Sequence, residues 1–230
     1  MVDTGEMQQT SGRKADASFL ATLPQLFVQQ RKEWAEILVN WETANKYAVM
    51  DSRGKDLGYI GERGTGLMAI LKRLFLRSHR PLDIDVLDRT GTAILKLTRE
   101  FFFLFSDLFV TTGGGTRLGS IHRRFGILQK RYDLQDNFGH VFATVESPIW
   151  KIWTFPILDS SGAERATIRK KWGGALREMF TDADTYQIDF GVHPWTPEQR
   201  AVIFAVAISI DFDFFEGNQG SGGIVRILGD

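Results

Sequence analysis

The sequence TPEQRAVIFAVAISIDFDFFE, from Thr196 to Glu216, predicts one long helix with apolar residues on every face. It opens with residues that begin helices: Thr196 suits the N-cap, Pro197 the first helical position, and Gln199 completes a capping box. Gly217 follows and suits the left-handed turn that ends helices. A helix without a polar face must be enclosed, so this stretch predicts the centre of a folded domain.

The enclosing material is expected to be protein. The uncharged part of the helix, Ala201 to Ile210, has about ten residues, against the ~20 that a membrane span needs. We therefore predict a buried central helix over 197–216, although the sequence leaves open whether it ever enters a bilayer. Its core residues are predicted to be Val202, Phe204, Val206, Ile208, Ile210, Asp211 and Phe214.

Composition favours one medium-sized domain and excludes several classes of function. The 230 residues carry 28 Lys+Arg against 28 Asp+Glu, so no net field favours nucleic acid. The absence of Cys excludes disulfides, thiolate nucleophiles, Cys-ligated zinc and S-acyl anchors. No secretion signal opens the chain, which indicates a cytoplasmic protein. We expect a disordered tail over 1–22, a domain over 23–217, and a flexible Gly-rich tail over 218–230.

Four Asp-x-x-Gly turns, each between two β-type runs, predict a series of hairpins. Asp at the first position accepts hydrogen bonds from the backbone ahead of it, and Gly three residues later takes the positive φ of a type I turn with a G1 bulge. The turns are Asp51–Gly54, Asp88–Gly91, Asp136–Gly139 and Asp159–Gly162. Many hairpins and one apolar helix predict a mainly β fold, a closed antiparallel barrel whose lumen the helix fills.

Two segments are candidates for contact with lipid. The basic and amphipathic stretch from Gly66 to Arg80 fits a membrane-surface helix, a helix packed across one barrel end, or another pair of strands. The aromatic run from Phe101 to Phe109 fits a buried strand or a loop that enters lipid. Thr112 to Thr116 follows it as a flexible turn. The candidate lipid-contacting residues are Leu67, Ile70, Leu71, Lys72, Arg73, Leu74, Phe75, Arg77, Phe101, Phe102 and Phe103.

Charged clusters offer two further kinds of site. Basic residues at 123, 124, 130, 131 and 169–171 could hold anionic headgroups or form solvated strand faces. Asp182 and Asp184 could bind Ca²⁺ or end a strand. Asp211, Asp213 and Glu216 fall at the C-terminal end of the helix, where the macrodipole disfavours anions, so a salt bridge or a cation must compensate them.

The sequence gives little support for an enzyme. The four histidines at 79, 122, 140 and 193 are scattered, and no Ser-His-Asp order or dinucleotide fingerprint is recognisable. We therefore predict a protein without a catalytic constellation.

Two C-terminal motifs resemble the phospholipid scramblases. Residues 171–184, KWGGALREMFTDAD, are similar to that family's KxWxGxLREAFTDAD segment, and Ile210 to Glu216, IDFDFFE, is similar to its closing IDFMFFE helix. Residues 43–47, TANKY, resemble the family's TNNKY. The similarity runs from about Leu23 to Glu216. It implies a tubby-like barrel of about twelve strands, peripheral association with the cytosolic face of membranes, and Ca²⁺-linked, bidirectional movement of phospholipids between leaflets.

The chain departs from the family pattern at two places. The segment matching the family's Ca²⁺ loop keeps Asp182 and Asp184, but its final Asp is His193 here. The cysteine cluster that attaches the family to membranes is replaced by the Phe101 to Phe109 run. We therefore hypothesise an anchor of apolar and basic side chains that binds membrane phospholipids with anionic headgroups. The alternative is a tubby-like phospholipid- or phosphoinositide-binding adaptor without transport.

Overall fold

Twelve antiparallel strands close into a barrel in a computed structural model, which describes residues 17–30, 46–63, 81–101, 107–124, 129–148, 150, 153–171 and 185–215. Each strand pairs with its neighbours in sequence, and β1 also pairs with β12, which closes the barrel. The strands are β1 Gln25–Gln30, β2 Lys46–Met50, β3 Asp56–Glu62, β4 Leu82–Asp88, β5 Ala93–Arg99, β6 Asp107–Thr112, β7 Arg117–Arg124, β8 Gln129–Asp136, β9 Val141–Pro148, β10 Thr154–Asp159, β11 Glu164–Lys171 and β12 Thr185–Asp189. The helices are α1 Ser18–Thr22 and α2 Pro197–Ile210. The predicted fold is confirmed.

The two ends of the barrel differ in their connections. Because neighbouring strands are antiparallel, the hairpin turns that follow β2, β4, β6, β8 and β10 all lie at one end, which we call the turn end. α2 begins at this end, after β12, and finishes at the other. We call that second end the loop end. The odd-numbered strands finish there, and the strands that follow them begin there: β1, β3, β5, β7, β9 and β11 are the strands that finish.

The four predicted turns have the expected geometry. In the first, Asp51 Oδ1 accepts hydrogen bonds from the backbone N–H groups of Arg53 (2.8 Å) and Lys55 (2.9 Å), and Gly54 has a φ of +77°. The turns at Asp88, Asp136 and Asp159 repeat this pattern, and a register shift accompanies each of the four.

The Gly-rich stretch from Thr112 to Thr116 is a fifth turn of the same kind. Its backbone N–H groups repeat the pattern, Gly115 has a φ of +92°, and the hydroxyl of Thr112 accepts from the N–H of Thr116 at 3.1 Å. Thr112 therefore replaces the aspartate of the other four. The sequence predicted a flexible turn here and not this hydrogen-bonded geometry. The reason is that the side-chain acceptor is a threonine and not an aspartate.

Helix α2 fills the barrel as predicted. The Thr196 hydroxyl accepts from the Gln199 N–H at 3.2 Å, and the Gln199 side chain accepts from the Thr196 N–H at 3.0 Å, which completes the capping box. Val202, Phe204, Val206, Ile208 and Ile210 are buried, together with every other residue from 200 to 210. The α-helix ends at Ile210, and Asp211–Phe215 continue it as a wider π-helical turn.

Glycine at 119 lets the helix approach the wall. A Cβ added there would lie 2.2 Å from the Gln135 carbonyl oxygen on β8 and 2.8 Å from Val202 Cγ2 on the helix, both closer than a side-chain carbon approaches such atoms. Any larger residue on this inward position of β7 would clash with the backbone of β8 and with the helix.

The predicted tail over 1–22 is too long at its C-terminal side. Residues 18–22 form α1, with Phe19 and Leu20 buried in the main core at the turn end. Arg200 on α2 holds this segment, because its Nε donates to the Leu20 carbonyl at 2.6 Å and its Nη2 to the Leu23 carbonyl. Apolar burial and two long-range hydrogen bonds thus order Ser18–Thr22, whose sequence SFLAT is more apolar than the residues before it. Residues 1–16 and 218–230 lie outside the described residues.

Within the described ranges, no helix has the length and hydropathy of a membrane span. Helix α2, the most apolar candidate, is enclosed by the barrel strands.

Candidate functional site

A buried polar cluster holds the C-terminal end of the central helix at the loop end. Asp211 accepts hydrogen bonds from the hydroxyls of Tyr47 and Tyr186, the latter at 2.6 Å. Asp213 forms an ion pair with Arg99 Nη1 at 2.7 Å and accepts from the Tyr132 hydroxyl at 3.0 Å. We call these six residues the carboxylate cluster.

The carboxylate cluster compensates the negative charge that the sequence places at the C-terminal end of the helix. Two carboxylates at a helix C-terminus are unfavourable in the field of the helix dipole. The side chains of Arg99 and Asp213 are 1% and 0% exposed, so their attraction is little screened by solvent. The predicted compensation by a salt bridge is therefore confirmed for Asp213. Glu216 lies outside the described residues, and so does the side chain of Phe214.

Tyr132 is neutral at physiological pH, because its hydroxyl is buried beside the negative charge of Asp213. Burial raises the pKa of its hydroxyl well above the ordinary value, and the charge of Asp213 raises it further. The hydroxyl therefore remains a hydrogen-bond donor.

The two aspartates reach opposite parts of the barrel wall. Tyr47 and Tyr186 lie on β2 and β12, on either side of β1. Arg99 lies on β5, and Tyr132 on β8. The cluster thus fixes the end of the helix to four strands, which centres it in the lumen.

Basic side chains at the loop end divide into two sets. Lys130 and Lys170 face the lumen and are buried, with Lys130 Nζ 5.3 Å from the Phe155 ring centroid and Lys170 Nζ 5.4 Å from that of Tyr186. Burial, and then the charge of Arg123, lowers the pKa of Lys130.

The outward set consists of Arg124 and Arg131, each about half exposed. Arg124 pairs with Asp133 at 2.7 Å, and Arg131 pairs with Glu146 at 3.3 Å. The basic clusters are therefore neither a uniform headgroup site nor a uniform solvated face.

Two exposed aromatic residues mark the rim of the loop end. Phe101 follows β5 and is 47% exposed, and Trp150 follows β9 and is 68% exposed. Trp150 was missed by sequence reasoning, although an aromatic residue beside Pro148 and Lys151, just beyond a strand, was a usable signal. The other predicted lipid-contacting residues lie outside the described residues: Leu67, Ile70, Leu71, Lys72, Arg73, Leu74, Phe75, Arg77, Phe102 and Phe103.

The predicted Ca²⁺ segment is divided by a strand. Asp182 and Asp184 lie outside the described residues, and the chain from Thr185 to Asp189 is β12. His193 follows at the turn end, where its ring lies 4.3 Å from that of Trp195. Strand β12 therefore lies within the predicted segment, and Ca²⁺ binding by Asp182 and Asp184 stays a prediction. Among the described residues, no group of three or more His, Asp or Glu side chains is placed to share an ion.

Comparison with known proteins gives one consistent relationship. The family profile described as Scramblase matches residues 4–217. "Altered inheritance rate of mitochondria protein 25" of Saccharomyces cerevisiae is 28% identical, over 93% of this chain and 77% of the relative. A phospholipid scramblase family protein of Schizosaccharomyces pombe is 25% identical, over 85% of this chain and 60% of the relative. "Phospholipid scramblase 1" of Mus musculus is 27% identical, over 87% of this chain and 64% of the relative.

The chain therefore spans about three fifths to three quarters of the length of these relatives. A solved protein of Arabidopsis thaliana aligns with a TM-score of 0.47 and 15% identity, covering 86% of this chain and 95% of that one.

Proposed function

The chain belongs to the scramblase family, and we propose that it is a peripheral membrane protein that binds phospholipids through the loop end of its barrel and moves them between leaflets. The family match over 4–217 carries this proposal, because it covers the barrel and the central helix together. We place the protein at the cytosolic face, with anionic headgroups as its preferred contact.

The difference between the two barrel ends supports the loop end as the contact surface. Trp150 and Phe101 are exposed there, and tryptophan is enriched where membranes meet water. Arg124 and Arg131 lie on β7 and β8, between the strands that these aromatic residues follow. Side chains of this kind suit the headgroup layer, since the rings enter the apolar boundary while the guanidinium groups contact phosphates.

The filled lumen favours a second candidate function. Helix α2 is buried along its length by the barrel, so the described interior offers no path for a lipid. A protein that binds phospholipid or phosphoinositide headgroups as an adaptor, without transport, needs no such path. If this chain moves lipids, the lipids must therefore pass along the outside of the barrel and not through its lumen.

Flotation with liposomes tests the contact surface. The full chain is mixed with phosphatidylcholine vesicles, with and without phosphatidylserine, at low salt. We expect Trp150→Ala combined with Phe101→Ala to reduce the bound fraction several-fold. Phe138→Ala is the matched control, because Phe138 is 79% exposed at the turn end. Equal binding by the loop-end variant and the wild type, or a loss only in Phe138→Ala, would refute this orientation.

Dithionite bleaching of NBD-lipid vesicles carrying the bound protein separates the two functions. Bleaching beyond the outer-leaflet half supports lipid movement, and bleaching that stops at half in protein-bearing vesicles supports the adaptor. The same assay with Ca²⁺ and with a chelator tests the predicted Ca²⁺ linkage of Asp182 and Asp184, which is independent of the orientation experiment.

A further inference from the structure

A serine, a histidine and an aspartate form a hydrogen-bonded relay on the outer wall of the barrel. Ser120 Oγ lies 2.9 Å from His122 Nε2, and His122 Nδ1 lies 2.6 Å from Asp107 Oδ1. When the Nδ1 proton is donated to Asp107, the Nε2 lone pair faces the serine hydroxyl. This connectivity, Oγ to Nε2 and Nδ1 to carboxylate, is that of the hydrolytic triads.

Strand register creates this arrangement. Ser120 and His122 are two residues apart on β7 and share its outward face, while Ile121 between them faces the core. Asp107 is the direct cross-strand partner of His122 on β6. The pairing register therefore fixes the histidine between its two partners.

A cation lies next to the serine. Arg117 Nη2 is 3.4 Å from Ser120 Oγ, and its guanidinium group stacks 4.6 Å from the centroid of the Phe109 ring. Phe109 is the cross-strand partner of Ser120, so the stack positions the guanidinium beside the hydroxyl. A positive group at this place can stabilise the negative charge that develops when a serine attacks a carbonyl.

We propose that Ser120, His122 and Asp107 form an acyl-transfer site for carboxylic esters. Ser120 Oγ bonds to the ester carbonyl carbon while its proton passes to His122 Nε2. Collapse of the tetrahedral intermediate breaks the bond to the alcohol oxygen, which leaves with the proton from His122. Water then attacks the acyl-serine, His122 accepts a proton from the water and returns it to Ser120 Oγ, and the carboxylic acid is released.

The serine is shielded from solvent, and its two partners are not. Ser120 is fully buried, whereas the side chains of His122 and Asp107 are 18% and 48% exposed. Arg117 is exposed and lies against the hydroxyl. In the proposed reaction, the Arg117 guanidinium moves from the hydroxyl towards the carbonyl oxygen as the ester reaches Ser120.

A purely structural role is the competing explanation, because cross-strand polar pairs also stabilise sheets. The two roles differ in reactivity. A serine whose proton is accepted by histidine reacts with fluorophosphonates, which form a covalent bond to the serine oxygen and release fluoride. A serine in a structural hydrogen bond does not.

The test uses the full chain in solution without lipid. The protein is incubated with a fluorophosphonate probe, the modified residue is located by mass spectrometry, and hydrolysis of p-nitrophenyl butyrate is measured. We expect labelling of Ser120 and hydrolysis at least tenfold above buffer, with both lost in Ser120→Ala. Ser147→Ala is the control, since Ser147 is equally buried on a strand but donates to the Thr154 carbonyl at 3.0 Å.

Two further variants keep the test decisive if Ser120→Ala unfolds. His122→Gln preserves a side-chain hydrogen-bond partner and should abolish hydrolysis, and Asp107→Asn should lower it at least tenfold. Thermal melting by circular dichroism checks that each variant is folded. An unlabelled wild-type Ser120, or hydrolysis unchanged in a folded His122→Gln, would overturn the proposal. Either result leaves the lipid-binding proposal untouched, because no membrane is present.

Discussion

The turn end and the loop end of one barrel are held by interactions of very different range. At the turn end, the carboxylates of Asp51 and Asp159 accept hydrogen bonds from backbone groups two and four residues away. At the loop end, Asp211 contacts Tyr47 across 164 residues of sequence, and Asp213 contacts Arg99 across 114. Local hydrogen bonds form wherever the short motif occurs, whereas the carboxylate cluster exists only after the barrel has closed.

This difference assigns separate tasks to the two ends. The turns fix the register of neighbouring strands, since each is accompanied by a β-bulge that sets the pairing. The carboxylate cluster fixes the helix to four strands that do not adjoin one another. We therefore expect substitutions at the loop end to cost more stability than substitutions at the turn end.

The largest effect should follow the loss of Arg99. Arg99→Met leaves the buried carboxylate of Asp213 without its ion-pair partner, which should lower the free energy of unfolding by about 3–5 kcal/mol. Urea denaturation measures this change. Arg124→Met is the control, because Arg124 pairs with Asp133 while about half exposed and should cost less than about 1 kcal/mol. Equal losses in both variants would contradict the expectation that the buried ion pair of the carboxylate cluster stabilises the fold more than an exposed ion pair at the same end.

Removal of a single hydroxyl from the cluster should cost less. Tyr186→Phe deletes the 2.6 Å donor to buried Asp211, and we expect a loss of about 1–3 kcal/mol. The same substitution in an Asp211→Asn background should cost less, because a neutral amide oxygen is a weaker acceptor. Additive losses across this double-mutant cycle would show that the hydroxyl and the carboxylate are not coupled.

Replacement of a single turn glycine by alanine should lower the free energy of unfolding by about 1 kcal/mol. Gly115 has a φ of +92° with open space around its Cα, so Gly115→Ala tests backbone conformation without a steric clash. Gly114→Ala in the same turn is the matched control, with its nearest neighbouring atom at 3.8 Å and no positive φ. The control should change stability by less than about 0.5 kcal/mol. Similar values for the two variants would mean that positive φ does not determine the cost.

The smallest effect concerns pH at the turn end. The Ser161 hydroxyl, and then Arg165, lowers the pKa of Asp159 below its ordinary value of 3.8. A depressed pKa stabilises the fold above the unfolded value, and that contribution is lost as the pH falls through the folded one. The difference in melting temperature between wild type and Asp159→Asn should therefore shrink between about pH 4 and pH 2. A constant difference across this range would show that the Asp159 charge contributes nothing.

Sequence reasoning succeeded where the determining interactions are local. The capping box at Thr196 and the Asp-x-x-Gly turns involve residues two to four positions apart, so their spacing alone predicted them. It failed at Thr112, where a different side chain makes the same turn, and at Phe19 and Leu20, which pack into the main core while Arg200, 180 residues later, donates to the Leu20 carbonyl.

The amino-acid sequence by itself determined a buried apolar helix, its start, and the hairpins that surround it, because helix capping and turn geometry depend on a few consecutive residues. Tertiary structure alone decided the partners of Asp211 and Asp213, the inward direction of Lys130 and Lys170, and the meeting of Ser120, His122 and Asp107. Each of these depends on which strands pair and in which register. For the partners of Asp211 and Asp213, this also requires closure of the whole barrel, which brings strands far apart in sequence around the helix, and no short stretch of sequence specifies it.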